Sequence, residues 1–189
     1  MILLVDNYDS FTFNIVQGLW SAGAEVELRA NDDPDLLELD PARFSGLVLG
    51  PGPGRPEGAG LLMGALARFY DRFPMLGICL GMQAIALHHG ALIRCAPRPF
   101  HGRIESVEHD GEGLFHGLSS PIQATRYHSL CIDPATLPQR LQVSARSQDG
   151  VIMAFRDTQA RAGGFQFHPE SIASPRGLDL LSAFVRSTL

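Results

Sequence analysis

The sequence has 189 residues, of which 45% are hydrophobic and 19% charged, and its net charge is −5. This length and apolar content predict one folded domain, residues 1–189, and exclude a largely disordered chain. No apolar run approaches the roughly 18 residues of a membrane span, and the N-terminus lacks the basic segment of a signal peptide, so a soluble, cytoplasmic protein is expected. The acidic balance, with no basic cluster, speaks against nucleic acid as a partner.

The first half alternates between apolar strands and amphipathic helices. The predicted strands are Ile2–Val5, Glu25–Arg29, Gly46–Leu49 and Met75–Ile78. Three helices are predicted. The first is capped by Ser10 and ends before Gly23, and its apolar residues recur at helical spacing: Phe11, Ile15, Val16, Leu19 and Trp20. The second is Leu61–Arg72, and the third is Leu80–His89, which ends before Gly90. This alternation predicts an α/β fold with a parallel, doubly wound sheet.

The second half has a different pattern, with short strand candidates separated by turns. These strands are Ile104–Glu108, Ile122–Arg126, Leu141–Ala145, Val151–Phe155 and Gly163–Phe167. A closing helix follows, and its predicted buried side consists of Leu178, Leu181, Phe184 and Val185. The sequence therefore predicts one α/β domain with an added β-rich portion.

The most informative local feature is Gly77-Ile78-Cys79-Leu80-Gly81, which has the form of a nucleophile elbow with cysteine in place of serine. It lies between an apolar strand and a helix, and the helix N-terminus favours both a thiolate and a bound oxyanion. A small buried cysteine is the alternative, and the motif alone does not decide between them. The other cysteines, Cys95 and Cys131, form no C-x-x-C pair, so neither a disulfide framework nor a metal site is predicted.

A nucleophilic cysteine needs a base, and His168 is the best candidate. The other six histidines lie in helix-end, polar or turn contexts, whereas His168 follows a predicted strand and begins His168-Pro169-Glu170. Residues two apart in an extended chain point to the same side, so Glu170 is placed to orient His168 as the third group of a triad. The alternative is a surface turn with an incidental ion pair. The presence of an elbow cysteine that needs a base favours the catalytic interpretation over it.

The loop Gly50–Gly60 follows a strand at the carboxyl end, where ligands of open α/β sheets bind. Its glycines let backbone amides approach a ligand closely. A P-loop is excluded because the chain contains no lysine. A rigid turn at a strand end is the alternative interpretation.

Five segments resemble the class I glutamine amidotransferase family. They are Met1–Gln17, Gly50–Gly60, Gly77–Gln83, Tyr127–Leu130 and Phe165–Ile172. The opening segment DNYDSFT, together with His101-Gly102-Arg103 and Arg126–Leu130, is similar to the branch that forms the amidotransferase subunit of anthranilate synthase and aminodeoxychorismate synthase. The resemblance runs essentially end to end and implies a flavodoxin-like, three-layer fold with a mostly parallel central sheet.

The resemblance also implies a role for individual residues. Cys79 is the expected nucleophile, His168 the general acid/base and Glu170 its orienter, with the backbone N–H groups of Gly52 and Leu80 as the oxyanion hole. The residues that match glutamine-binding positions are Gly52, Pro53, Gly54, Gln83, Ser129 and Leu130. The implied reaction is hydrolysis of L-glutamine and transfer of ammonia to a larger chorismate-binding synthase subunit, giving anthranilate or 4-amino-4-deoxychorismate. No cofactor is expected in this chain, and Mg²⁺ is expected in the partner.

Two positions depart from the commonest pattern of this branch. Met82 stands where histidine is usual, and it is not expected to touch the chemistry because methionine occurs in related amidotransferases. Arg103 stands where lysine is usual and keeps the charge. After it, Ile104 and Glu105 replace a small hydroxylated pair that is often seen there.

Three other functions compete with this interpretation. A glutaminase part of a synthase for GMP, CTP or carbamoyl phosphate is disfavoured by the DNYDSFT and RYHSL segments. A non-catalytic, amidotransferase-like regulatory subunit is disfavoured by the intact Cys79, His168 and Glu170. A free-standing hydrolase of another amide is the third. Anthranilate and aminodeoxychorismate are not distinguished, because the chorismate subunit decides the product.

Overall fold

A nine-stranded sheet forms the centre of the computed structural model, which describes residues 1–189. The strands are β1 (Ile2–Asp6), β2 (Val26–Ala30), β3 (Gly46–Leu49), β4 (Met75–Ile78), β5 (Ile93–Cys95), β6 (Arg103–His109), β7 (Ile122–Arg126), β8 (Leu130–Ile132), β9 (Leu141–Ser147), β10 (Ile152–Asp157) and β11 (Ala162–Phe165). The helices are α1 (Thr12–Ser21), α2 (Leu62–Phe69), α3 (Leu80–His88) and α4 (Gly177–Ser187). None of these helices is long and apolar enough to cross a bilayer.

The strand order in the sheet is β2-β1-β3-β4-β11-β10-β9-β6-β7. From β2 to β11, each strand is parallel to its neighbour, in the order of a flavodoxin-like sheet. From β11 to β7 the pairing is antiparallel. Most of the predicted β-rich portion therefore extends the central sheet, and only β5 and β8 form a separate two-stranded sheet.

Helices cover both faces of the parallel part and make three layers. Because side chains alternate along a strand, Leu3 and Val5 of β1 join the core beneath α2 and α3, whereas Ile2 and Leu4 join the core beneath α1 and α4. Helices α1 and α4 approach closely at Gly18, where a Cβ atom would lie 2.5 Å from Leu181 Cδ1. The predicted three-layer α/β fold is confirmed.

Several local predictions are wrong at the helix boundaries. Ser10 does not cap α1; instead the Asp6 carboxylate accepts hydrogen bonds from the Tyr8 N–H and the Thr12 hydroxyl, and so organises the entry to the helix. Helix α2 ends at Phe69 rather than at residue 72, because Asp71 adopts a positive φ of 63° that an α-helix does not allow.

One predicted core residue and two strands also differ. Leu178, predicted on the buried side of the closing helix, is 57% exposed on the solvent side of α4, and Trp20 of the helical spacing in α1 is 59% exposed. The three-residue strands β5 and β8 were not predicted, since each is too short to show a period and forms only by pairing with the other.

The core beneath α2 provides a test of the packing. Phe69 is fully buried, with its ring stacked 6.0 Å from that of Phe73. We expect Phe69→Ala to lower the free energy of unfolding by about 3–5 kcal/mol, since it removes a large buried side chain and leaves a cavity. Urea unfolding measures the loss. The matched control is Phe13→Ala, whose ring is 66% exposed, and an equal loss in both variants would contradict the described core.

Candidate active site

The predicted site residues follow the carboxyl ends of three adjacent parallel strands. The loop with Gly52 follows β3, Cys79 follows β4, and His168 lies just beyond β11. A sheet brings the ends of neighbouring strands to one edge, so residues that are far apart in sequence meet there.

Cys79 occupies a strained turn between β4 and α3. Its φ is 51° and its ψ is −101°, a conformation that non-glycine residues rarely adopt. A Cβ atom at Gly77 would lie 2.4 Å from the carbonyl carbon of Gly81, and one at Gly81 would lie 2.1 Å from the oxygen of Leu49. Both glycines of the elbow are therefore required by contact with backbone.

His168 is held through both its side chain and its backbone. Its Nδ1 lies 2.6 Å from Oε1 of Glu170, and both side chains are buried. The backbone N–H of His168 donates to Thr125 O over 2.9 Å, and the Ser174 hydroxyl donates to the backbone oxygen of His168 over 2.7 Å. With Nδ1 directed to Glu170, Nε2 is left without a hydrogen-bond partner within the chain.

The pKa of His168 is raised well above its usual value. Burial opposes the protonated form, but interactions with Cys79 and with Glu170 outweigh it. The shift favours the protonated imidazole, which lies between a sulfur and a carboxylate. A protonated imidazole of this kind is suited to give a proton to a leaving group and to take one back.

A cavity of about 120 Å³ opens beside Cys79. Its lining is Gly52, Pro53, Gly54, Cys79, Gln83, Tyr127, His128, Ser129 and Leu130, which includes every residue predicted to bind glutamine. The backbone N–H groups of Gly52 and Leu80 donate no hydrogen bond within the chain, so both are available to an oxyanion. A larger cavity, of about 380 Å³, lies on the α4 side and is lined by neither cysteine nor histidine, so it lacks the required chemistry.

Asn7 supports the Gly52 loop, a role that sequence reasoning missed. Its Nδ2 donates to Gly50 O over 2.8 Å, and its Oδ1 accepts from Asn31 Nδ2 over 3.0 Å. A Cβ atom at Gly52 would lie 2.5 Å from that of Asn7, so the loop packs directly on this side chain. The signal was available, because a polar residue directly after a buried strand must find hydrogen-bond partners.

Gln166 is a second missed residue. It is fully buried between Phe165 and Phe167, and its Nε2 lies 3.5 Å from Sγ of Cys79. Its Oε1 accepts from Gln83 Nε2 over 3.0 Å. The sequence signal is an amide within an apolar run, which has to be hydrogen-bonded when the run is buried.

His128 was assigned to an ordinary turn context, yet it is buried and supports the cavity wall. Its Nε2 accepts from Arg126 Nε over 3.0 Å, and its Nδ1 donates to Leu130 O over 2.9 Å. Burial, together with the charge of Arg126, lowers the pKa of His128 to about 4. Arg126 is itself fully buried and forms ion pairs with Glu105 and Asp149.

Met82 and Arg103, the two positions expected to depart from the commonest branch pattern, lie outside the cavity. Met82 is fully buried and packs on β11, where a Cβ atom at Gly164 would lie 2.7 Å from Met82 Cγ. Arg103 is exposed at the start of β6 and forms no ion pair. No group of three or more His, Cys, Asp and Glu side chains is arranged to hold a metal ion.

The chain is similar to known proteins over almost its whole length. The family model described as glutamine amidotransferase class-I matches residues 3–188. Aminodeoxychorismate synthase component 2 of Klebsiella aerogenes is 47% identical over 98% of this chain and 99% of its own length. Aminodeoxychorismate/anthranilate synthase component 2 of Bacillus subtilis is 42% identical over 99% of this chain and 96% of its own length.

A solved structure has a closely similar fold. It is a crystal structure of a Thermoplasma acidophilum protein that is provisionally assigned as part of a GMP synthase. It superposes with a TM-score of 0.87 at 30% identity and covers 99% of this chain and 92% of that one. The chain belongs to the class I glutamine amidotransferase family, which confirms the resemblance seen in the sequence. It is accordingly a glutamine amidotransferase.

The buried neutral His128 predicts a loss of stability in acid. In the unfolded chain it takes up a proton near pH 6.5, but in the folded chain only near pH 4, so stability falls as the pH drops through this window. We expect the free energy of unfolding to fall by about 2 kcal/mol more between pH 7 and pH 5 in the wild type than in His128→Gln. Urea unfolding at the two pH values measures this. The exposed His116→Gln is the control, and equal pH dependence in all three chains would contradict the assignment.

Proposed function

We propose that this chain is a glutaminase subunit that hydrolyses L-glutamine through a Cys79 thioester and delivers ammonia to a larger, chorismate-using synthase subunit. The observation that carries the proposal is an elbow cysteine that lines the cavity, coupled to the buried, Glu170-oriented His168 behind it, with two free backbone N–H groups nearby. The catalytic roles are Cys79 as nucleophile, His168 as general acid/base and Glu170 as its orienter.

In the first step, the Cys79 thiolate attacks the side-chain amide carbon of glutamine. The carbonyl oxygen becomes an oxyanion, which the N–H groups of Gly52 and Leu80 stabilise; the loss of one such donor typically costs about 10²–10³ in rate. His168 gives its Nε2 proton to the amide nitrogen, the C–N bond breaks, and ammonia leaves. The raised pKa of His168 favours the protonated form that this step requires.

In the second step, water cleaves the γ-glutamyl thioester. The imidazole, now neutral, takes a proton from the water, and the hydroxide oxygen bonds to the acyl carbon. The sulfur leaves as thiolate, and the new carboxylic acid loses its remaining proton to water as glutamate is released, so the thiolate and the imidazolium are both restored. Glu170 stabilises the imidazolium through Nδ1 without taking its proton.

Glutamine is held between the loop of Gly52, Pro53 and Gly54 and the segment Ser129–Leu130. Gln83 Nε2 already donates to Leu130 O and to Gln166 Oε1, so both of its hydrogens are used. Its Oε1 remains to accept a hydrogen bond from the substrate. Gln83 is therefore an acceptor for a donor group of glutamine.

The need for a partner follows from the chemistry of the product. Ammonia released into water near neutral pH becomes mostly ammonium, which is not a nucleophile, so direct transfer to a second site preserves its reactivity. The relatives named as second components of chorismate-derived synthases support such a partner. The partner binds chorismate with Mg²⁺ and sets the product, anthranilate or 4-amino-4-deoxychorismate. This chain works in the cytoplasm without a cofactor, membrane or nucleic acid.

The role of Cys79 is tested by Cys79→Ser. We expect glutamine hydrolysis to be abolished, because a serine hydroxyl is a far weaker nucleophile than the thiolate that His168 stabilises. Release of glutamate from glutamine measures it. The control is Cys95→Ser, since Cys95 is exposed on β5 and outside the cavity. Glutamine-dependent activity retained by Cys79→Ser would overturn the assignment.

The partner and the product are tested together by capture of the tagged chain from its native host. We expect a larger chorismate-using protein to co-purify, and the complex to form anthranilate or aminodeoxychorismate from glutamine and chorismate. Glutaminase activity is expected to rise when the partner is bound. A nucleotide-synthase partner would overturn the branch, whereas full activity with no partner would favour a free-standing hydrolase.

A further inference from the structure

A chain of side-chain amides runs from the cavity wall to the nucleophile. Leu130 O accepts from Gln83 Nε2 over 3.2 Å, Gln166 Oε1 accepts from the same nitrogen over 3.0 Å, and Gln166 Nε2 lies 3.5 Å from Cys79 Sγ. Gln83 is 2% exposed and Gln166 is fully buried, so water does not compete for these contacts. The triad described above uses neither amide group.

The direction of both amides follows from the Leu130 carbonyl. A carbonyl oxygen can only accept, so Gln83 must present its NH₂ group to Leu130. The second hydrogen of that group then meets Gln166, which must present its oxygen. The NH₂ group of Gln166 is consequently the end that faces the sulfur of Cys79. A flipped Gln166 would set two donors against each other.

The Leu130 carbonyl is also held by His128, which is itself hydrogen-bonded to the charged guanidinium of Arg126. It also accepts from Nδ1–H of His128, whose Nε2 accepts from Arg126. Arginine does not lose its proton in proteins, so His128 can carry its own hydrogen only on Nδ1. Arg126 thus fixes the tautomer of His128, while the Leu130 carbonyl fixes the directions of the Gln83 and Gln166 amides.

We infer that Gln166 is a further catalytic residue, whose amide N–H stabilises the Cys79 thiolate and whose orientation Gln83 sets. A neutral thiol is a weak acceptor, whereas a thiolate accepts a much stronger, charge-assisted hydrogen bond. The contact therefore favours the ionised sulfur over the neutral one. This inference rests on the proposed function, because it assigns a role to Gln166 only if Cys79 is the nucleophile.

The test is the pH profile of Cys79 alkylation by iodoacetamide, followed by mass spectrometry on the Cys79 peptide. Gln166→Met is an apolar replacement of similar volume. In this variant we expect the midpoint of Cys79 alkylation to move up by about one to two pH units, because one hydrogen bond to a charged group is lost. We also expect kcat for glutamine to fall about tenfold or more near neutral pH, with KM little changed. Gln142→Met, on the exposed side of β9, is the matched control and should behave as wild type.

A measurement on the wild type covers the case in which Gln166→Met does not fold. The side-chain ¹⁵N and ¹H signals of the Gln166 amide should shift with pH at the midpoint of Cys79 alkylation, and this shift should vanish in Cys79→Ala. An unchanged midpoint and kcat in folded Gln166→Met, or amide signals that ignore Cys79, would overturn the inference. A wild-type chain that does not hydrolyse glutamine even with its partner bound would instead overturn the proposed function.

Discussion

The turn at Cys79 is the constraint on which the geometry of the site depends. Its positive φ can be held only because Gly77 and Gly81 present no Cβ to the backbone around them, and at Gly81 that backbone is the end of β3. Because Gly81 packs closely on Leu49, the start of α3 lies directly against the end of β3, and the loop of Gly52 lies beside Leu80. The Cys79 N–H also donates to Phe165 O over 2.7 Å, which aligns β11 with β4. One strained residue thus fixes three strand ends relative to each other.

Two histidines near the same cavity have opposite electrostatic environments. His168 lies against the carboxylate of Glu170 and the sulfur of Cys79, and its pKa is raised. His128 lies against the guanidinium of Arg126, and burial together with that charge lowers its pKa to about 4. Both are buried, so the sign of the neighbouring charge decides the difference. The protonated histidine can exchange protons with a substrate, whereas the neutral one holds a carbonyl in place.

The parts that could be predicted from the sequence are those set by local pattern. Apolar runs marked β1, β3 and β4, and the glycines of the elbow marked the sharp turn after β4. The His168–Glu170 contact was predicted because it spans only two residues. The assumed extended chain is wrong, however, since Pro169 and Glu170 lie in a turn in which the Ser171 N–H donates to His168 O over 3.3 Å. In each case the physical cause lies within a few residues of the effect.

The rest depends on contacts between distant segments. Asn7 meets Gly50 at a separation of 43 residues, and Gln166 meets Cys79 at a separation of 87. No local pattern encodes which buried amide will face which partner, because the sheet order decides it. The same holds for the three-residue strands β5 and β8, and for Trp20, whose exposure reflects which side of α1 the sheet leaves uncovered.

Glu105 has a structural role as the ion-pair partner of a buried guanidinium. Arg126 is fully buried, and a buried guanidinium is costly unless it is paired and hydrogen-bonded. Its partners are Asp149 and Glu105, and its carbon Cζ also lies 3.6 Å from the centre of the Phe100 ring. The side chain of Glu105 remains 25% exposed, so its charge is partly solvated while it neutralises Arg126. Glu105 on β6 therefore supports the charge that orients His128, and through it the wall of the cavity.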